Sequence, residues 1–118
     1  MSISFGFWLI VAAQMAGQTV TSPFAKGQVE VDGSHYRIWS DGNVANEGSL
    51  YFLSGTNGVD IIGEDAQTRG QVFPCIWKEE GDRLTICCNP AQNGRRPEEF
   101  LATSENKFVL ITFQKKEQ

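Results

Sequence analysis

Features typical of proteins that bind nucleic acids or membrane surfaces are missing from this chain of 118 residues. No Lys, Arg, Asp or Glu precedes Lys26, and basic residues cluster no further than the pairs Arg95–Arg96 and Lys115–Lys116. Ten basic residues face fourteen acidic ones, which gives a net charge of −4. Nucleic acids and anionic membranes both bind clustered positive charge. We therefore expect neither nucleic acid nor a membrane as a partner.

The motifs of nucleotide, metal and catalytic sites are missing as well. Neither glycine-rich phosphate-binding pattern occurs, and the cysteines lack the paired Cys-x-x-Cys spacing of zinc sites. His35 is the only histidine, and no nucleophile motif accompanies it to form a triad. Acidic pairs such as Glu64–Asp65 fall in predicted turns, which are normally solvated. The sequence thus favours a protein that is not an enzyme, with no catalytic residue, metal ligand or cofactor assigned.

The uncharged start of the chain has two interpretations. The apolar run Phe5–Ala13 is too short for a membrane-spanning helix, which needs ~20 residues. A secretory signal begins with a basic region, and Met1–Ser4 has no basic side chain, although Ala12–Ala16 resembles a cleavage site. We favour a cytoplasmic protein that begins with a β-strand. The alternative is an exported protein, if residues 1–16 act as a signal.

Apolar residues occupy both faces of this first predicted strand. Trp8 and Ile10 fall on one face at the two-residue period of a strand. Phe5 and Val11 fall on the other. Strands that are buried on both faces have such continuous apolar runs. We therefore predict a first strand that is intact as far as Met15, paired along both edges and buried on both faces.

Glycine-rich turns divide the rest of the chain into short apolar or β-branched runs. The chain has twelve glycines, and Asp32–Gly33 and Asp41–Gly42 are hairpin signals. About eight strands joined by tight turns predict an antiparallel meander that protects its edges by closing into a barrel. Pro97–Ser104 has the proline and early glutamates of a short helix. The predicted fold is all-β, a single meander β-barrel over residues 1–118 with one short helix before the last strand.

Several motifs occur in a characteristic order. Gly6-Phe7-Trp8 and Gly17 stand at the start, and the strand motif Gly70–Trp77 opens the second half. Gly81-Asp82-Arg83-Leu84-Thr85-Ile86-Cys87 and then Arg96-Pro97-Glu98-Glu99-Phe100 follow it. This order resembles a family of small bacterial lipocalin-like domains, abundant in planctomycetes and of unknown function. That family has Gly-x-Trp, Gly-Asp-x-Leu-x-x-Cys and Arg-Pro-x-x-Phe motifs.

The resemblance implies a barrel of lipocalin-like or streptavidin-like (calycin) character. In such barrels an arginine near the last strand packs over the tryptophan of the first strand. The resemblance therefore implies that Arg96 closes one end over Trp8, through a cation–π contact worth ~0.5–2 kcal/mol. Cys75 and Trp77 stand where the family has glycine and tyrosine, and Cys88 is an additional cysteine.

The three cysteines leave at least one thiol unpaired within a single chain. Cys87 and Cys88 are adjacent, so their side chains point to opposite faces of a strand. Cys75 lies on the neighbouring strand of the same predicted hairpin, which would allow a bridge to one of them. An odd count without a signal favours free thiols in a reducing compartment.

Aromatic residues are the remaining candidates for a binding site. The chain has three Trp, two Tyr and eight Phe, and an eight-stranded barrel holds either side chains or one small ligand. In one interpretation the barrel mouth binds a small apolar or aromatic ligand through Tyr36, Arg37, Trp39, Tyr51 and Trp77. In the other, side chains fill the barrel and its acidic turns bind another protein. Both a monomer and a homodimer remain open.

Overall fold

β-Strands account for the regular structure of the residues that the structure describes. A computed structural model describes residues 3–15, 18–19, 28–40, 42–64, 69–91 and 94–116. Nine strands occur in these ranges: β1 Gly6–Met15, β2 Gln18–Thr19, β3 Gln28–Asp32, β4 His35–Ser40, β5 Asn43–Phe52, β6 Gly58–Gly63, β7 Val72–Glu80, β8 Arg83–Cys88 and β9 Val109–Lys115. Among the described residues, none belongs to a helix that could span a membrane.

The strands form one antiparallel sheet that closes on itself. From β3 onward each strand pairs with the next, β1 pairs with β3, and the circle closes between β1 and β9. The two-residue β2 pairs with the end of β1, outside this circle of eight strands. A closed sheet leaves no unpaired edge. The predicted all-β antiparallel meander barrel is confirmed.

Glycines with left-handed backbone angles make the tight turns. Gly33 has a φ of 62° between β3 and β4, and Gly81 has a φ of 63° between β7 and β8. Gly42 stands between β4 and β5 with a φ of 80°. Its predicted turn partner Asp41 lies outside the described residues, as does Gly17. Residues with a Cβ adopt these angles only under strain, and the hairpin signals in the sequence therefore lie where the chain reverses.

The first strand is paired along both edges but buried on one face only. Its edges pair with β3 and β9, as predicted, although Met1 lies outside the described residues. Trp8 and Ile10 point into the barrel core, whereas Val11 is 50% exposed and Met15 42% exposed, as is Phe5 just before the strand at 62%. The prediction of burial on both faces is wrong. A barrel strand has a neighbour at each edge but a core only on its inner side.

Residues 3–5, which precede β1, cover one end of the barrel, here called the closed end. Ile3 is buried in the core cluster. The Ser4 backbone N–H and Oγ donate hydrogen bonds of 2.9 and 2.6 Å to the Glu79 carboxylate. Because β7, which carries Glu79, lies three strands from β1 around the barrel, these bonds hold residues 3–5 across the opening. The Trp8 indole N–H donates to the Ser4 carbonyl at 3.3 Å.

Residues 94–108, here called the outer segment, pack against the outside of the barrel. They form a second, smaller core in which Ala102 and Phe108 cover Ile76 of β7 and Cys87 of β8. Arg96 attaches the segment to the sheet. Its guanidinium donates to the carbonyls of Val59 and Cys75 at 3.2 and 2.8 Å.

The predicted helix at Pro97–Ser104 is wrong, since none of these residues is helical. Asn106 explains the difference. Its Oδ1 accepts from the backbone N–H groups of Thr103 and Phe108, both at 2.9 Å, and its side-chain amide donates to the Leu101 carbonyl at 3.0 Å. Such local bonds from a side chain to the backbone replace those that a helix would make.

Removal of the Phe108 ring tests whether the outer segment contributes to the stability of the barrel. Phe108→Ala should lower the free energy of unfolding by about 3 kcal/mol, because the ring is buried between the segment and the sheet. Urea denaturation followed by tryptophan fluorescence measures this change. Leu101→Ala, in the same segment but at a half-exposed side chain, is the control and should cost under about 1 kcal/mol. Equal costs for the two variants would contradict the packing described here.

Candidate functional site

An apolar cavity lies inside the barrel and has a volume of about 130 Å³. Its wall comes from Ile3 and from every strand of the closed circle except β7. Val31, Leu50 and Ile61 are typical of the aliphatic side chains that line it. No ionised side chain is among the described residues of this wall. The cavity wall is therefore apolar in its chemistry.

Gly48 makes room for Tyr36 in this wall. Gly48 on β5 lies opposite Tyr36 on β4 and opposite Gly63 on β6. A Cβ added to Gly48 would lie 2.7 Å from the Tyr36 hydroxyl oxygen and 2.8 Å from its Cε1. The ring of Tyr36 therefore occupies the space that a side chain at Gly48 would fill. This arrangement sets the position of the one phenol that lines the cavity.

The structure places Lys115 against Trp8 at the closed end. Trp8 and Lys115 are opposite each other in the β1–β9 register, and the Lys115 Nζ lies 5.6 Å from the centre of the indole. Arg96, which the family resemblance implied for this contact, lies outside the barrel, with an ion pair of 2.5 Å to Asp60. The structure thus does not bring Arg96 to Trp8. A register shift in β1 between Ile10 and Ala12 helps set the pairing and is not visible in the sequence.

Of the five residues predicted at the barrel mouth, Tyr36 lines the cavity. Trp77 points inward and is buried, but its ring packs edge-on against Phe52, with ring centres 5.5 Å apart, and is not part of the cavity wall. The other three point outward. The prediction selected residues by aromatic and cationic type, whereas the two-residue period of β4 separates Tyr36 from its neighbours Arg37 and Trp39.

The three outward-facing residues take part in surface contacts or lie exposed. The Trp39 indole N–H donates to the Glu30 carboxylate at 3.2 Å. Arg37 lies 3.8 Å from Glu30 and 3.9 Å from Glu47. Tyr51 is 63% exposed. The structure therefore does not gather the five predicted residues into one pocket.

Sequence reasoning missed most of the cavity wall because its residues are ordinary aliphatic ones. Leu84, Ile86 and Cys88 alternate along β8 and all line the cavity. Ile111 and Phe113 do the same on β9. The two-residue period of these strands was the available signal. It identifies an inner face, but it does not show where that face leaves space.

One cluster of metal-ligating residue types lies on the outer surface. His35, Glu47 and Glu64 each offer a ligand atom, and these atoms lie within 4.8 Å of one another. The cluster already has partners, since Arg37 lies against Glu47 and the Ser49 hydroxyl donates to Glu64. The His35 Nδ1 is 4.0 Å from Glu64. These contacts make the cluster a surface charge network, in which the Arg37 guanidinium would repel a metal ion.

Comparison with known proteins identifies no relative of this chain. Neither the protein-family models, the curated proteins nor the solved structures contain a match to the chain. A functional proposal therefore rests on the geometry and chemistry of the barrel itself.

Alanine at Gly48 tests how the cavity wall is built. Gly48→Ala should lower the free energy of unfolding by about 1–3 kcal/mol, because the new methyl group overlaps the Tyr36 ring and the Ile62 carbonyl. The contribution of Tyr36 is isolated by repeating the substitution in a Tyr36→Ala background. The two changes should couple by at least about 0.5 kcal/mol. Strict additivity in denaturant unfolding would show that Gly48 does not make room for the ring.

Proposed function

We propose that this protein binds a small apolar molecule inside the barrel and catalyses no reaction. The observation that carries the proposal is the apolar cavity of about 130 Å³. An apolar cavity of ~150 Å³ in another protein stays dry and takes up benzene. The similar volumes of the two cavities indicate a ligand of about the size of one aromatic ring or a short branched hydrocarbon.

The lining of the cavity defines the chemical class of ligand. A charged ligand would lose its hydration in a wall without a described counter-ion, which is costly. Tyr36 and Cys88 are the wall residues that bring a hydroxyl and a thiol to this space. A neutral molecule with at most one weakly polar group therefore fits best. Drug-sized ligands are too large, since their pockets have volumes of ~300–1,000 Å³.

The site differs from the barrel mouth that the sequence predicted. Its ligand would lie within the core, between Trp8 at the closed end and the aliphatic side chains of β8 and β9. The alternative function, a protein-interaction module, assumed an interior filled by side chains, and the cavity argues against that assumption. The lipocalin-like family remains a proposal, supported by the closed antiparallel barrel and by the motifs in the sequence.

A ligand panel with cavity-filling variants tests this function. Benzene, toluene and cyclohexane should raise the melting temperature of the protein, because a ligand that binds the folded state alone stabilises it. Benzoate, which has the same ring with a charge, should leave it unchanged. Ile86→Phe and Ile61→Phe, which place extra atoms in the cavity from two strands, should weaken binding at least tenfold in isothermal titration calorimetry.

Two further variants show where the ligand lies. Ile86→Ala enlarges the cavity and should shift the preference toward larger rings such as p-xylene. Tyr51→Ala removes an exposed aromatic side chain from the outer surface and should bind like the unmodified protein. The proposal fails if no member of the panel stabilises either the unmodified protein or Ile86→Ala. It also fails if Tyr51→Ala abolishes binding while the filling variants retain it.

A further inference from the structure

Two of the three cysteines are opposite each other in the sheet. Cys75 on β7 pairs with Cys88 on β8. The neighbouring pair is hydrogen-bonded, since the Asn89 N–H donates to the Pro74 carbonyl at 3.0 Å. Hydrogen-bonded and non-hydrogen-bonded pairs alternate along antiparallel strands, so Cys75 and Cys88 form a non-hydrogen-bonded pair. Side chains approach most closely at such positions.

This position suits a disulfide. The Cα atoms of a non-hydrogen-bonded pair are ~4.5 Å apart, and disulfides span Cα separations of ~4.4–6.8 Å. Cys75 belongs to the inner core cluster and Cys88 packs against that cluster, so both thiols lie on the inner face. The Cys75 thiol donates to the Phe73 carbonyl at 3.3 Å, a contact that its own strand provides. No large backbone movement is needed to join them.

The third cysteine is excluded from this pairing by the alternation of the strand. Cys87 points outward beneath the outer segment, where its thiol donates to the Leu101 carbonyl at 3.8 Å. Cys75 and Cys87 are both fully buried, whereas Cys88 is half-buried and lines the cavity. Cys88 is therefore the most accessible of the three thiols.

We propose that Cys75 and Cys88 are an oxidation site at which hydrogen peroxide produces an intramolecular cross-strand disulfide. The Cys88 sulfur attacks one peroxide oxygen and breaks the O–O bond, which gives a sulfenic acid on Cys88 and one water. The Cys75 sulfur then attacks the Cys88 sulfur. The S–S bond forms as the S–O bond breaks, and the hydroxyl leaves with the Cys75 proton as a second water.

The electrons balance in this scheme. Two thiols lose two electrons and two hydrogens, and one peroxide is reduced to two waters. Burial raises the pKa of the Cys75 thiol, with smaller contributions from Cys88. Because the thiolate is the attacking form, the second step should be slow and should accelerate as the pH rises. The proposal is independent of the proposed ligand, since it needs only the register of β7 and β8.

Peptide mapping of the full-length folded protein after treatment with hydrogen peroxide tests the site. The expected product is a monomer lighter by two hydrogens, in which the Cys75 peptide is joined to the Cys88 peptide. One thiol, Cys87, remains for titration in denaturant, and dithiothreitol restores all three. Cys87→Ser is the matched control and should form the same bridge.

The variants separate this bridge from other outcomes. Cys75→Ser should stop the reaction at a sulfenic acid on Cys88, and Cys88→Ser should leave no intramolecular bridge, because Cys75 and Cys87 face opposite sides of the sheet. Cys87 and Cys88 lie on the same tryptic peptide, Leu84–Arg95, so fragmentation of the linked peptide in tandem mass spectrometry assigns the bridge to one of them, even if a variant does not fold. A Cys75–Cys87 bridge, a bridge between chains, or Cys88 oxidised beyond the sulfenic acid without a bridge would each overturn the proposal. So would three unreacted thiols at a peroxide concentration that oxidises free cysteine.

Discussion

The pairing of β1 with β9 is the interaction on which the rest of the structure depends. The other links of the circle join strands that lie closer together in the chain, whereas this one joins the first strand to the last. It extends beyond the strand ends, since the Lys116 N–H donates to the Phe7 carbonyl at 2.8 Å. Without it, β1 and β9 would each have an open edge and the inner face would have no enclosed volume. The cavity exists because this pairing completes its wall.

Closure of the barrel also separates an apolar interior from a charged outer surface. The cavity wall consists of aliphatic and aromatic side chains with one phenol and one thiol, whereas the ion pairs of Arg37 and the cluster around His35 lie outside. This separation follows from the cost of removing a charge from water. The interior of the barrel is therefore an apolar environment. For the proposed ligand, recognition there would depend on size and shape, since few polar groups line the cavity.

The architecture was more predictable than the site. Glycines before and within turns, such as Gly33 and Gly81, mark chain reversals through their backbone angles, so the meander could be derived from the sequence. The helix could not be excluded, because the bonds that replace it come from Asn106, which contacts residues on both sides of itself. The exposed outer face of β1 was also missed, since the sequence of a strand does not show what packs against it.

Prediction of the cavity required distances between side chains, which the two-residue period of a strand does not give. The two-residue period distinguishes the inner from the outer face of a strand. Applied to β4, it would have removed Arg37 and Trp39 from the predicted pocket. The space inside depends on pairs across strands, such as Gly48 beside Tyr36. The contact of Lys115 with Trp8 likewise depends on the register between the chain's first and last strands, where β1 contains an irregularity. Such features arise only when the barrel closes.

The outer segment gives the molecule two levels of stability. Its core of Ala102 and Phe108 is separate from the interior cluster, and it contacts the sheet from outside. The strand ladders do not run through the segment, so it can detach while the barrel stays hydrogen-bonded, as a local opening of lower free energy than global unfolding. In that partly open form Cys87 loses its cover. The reactivity of this thiol then reports how often the outer segment detaches while the barrel stays folded.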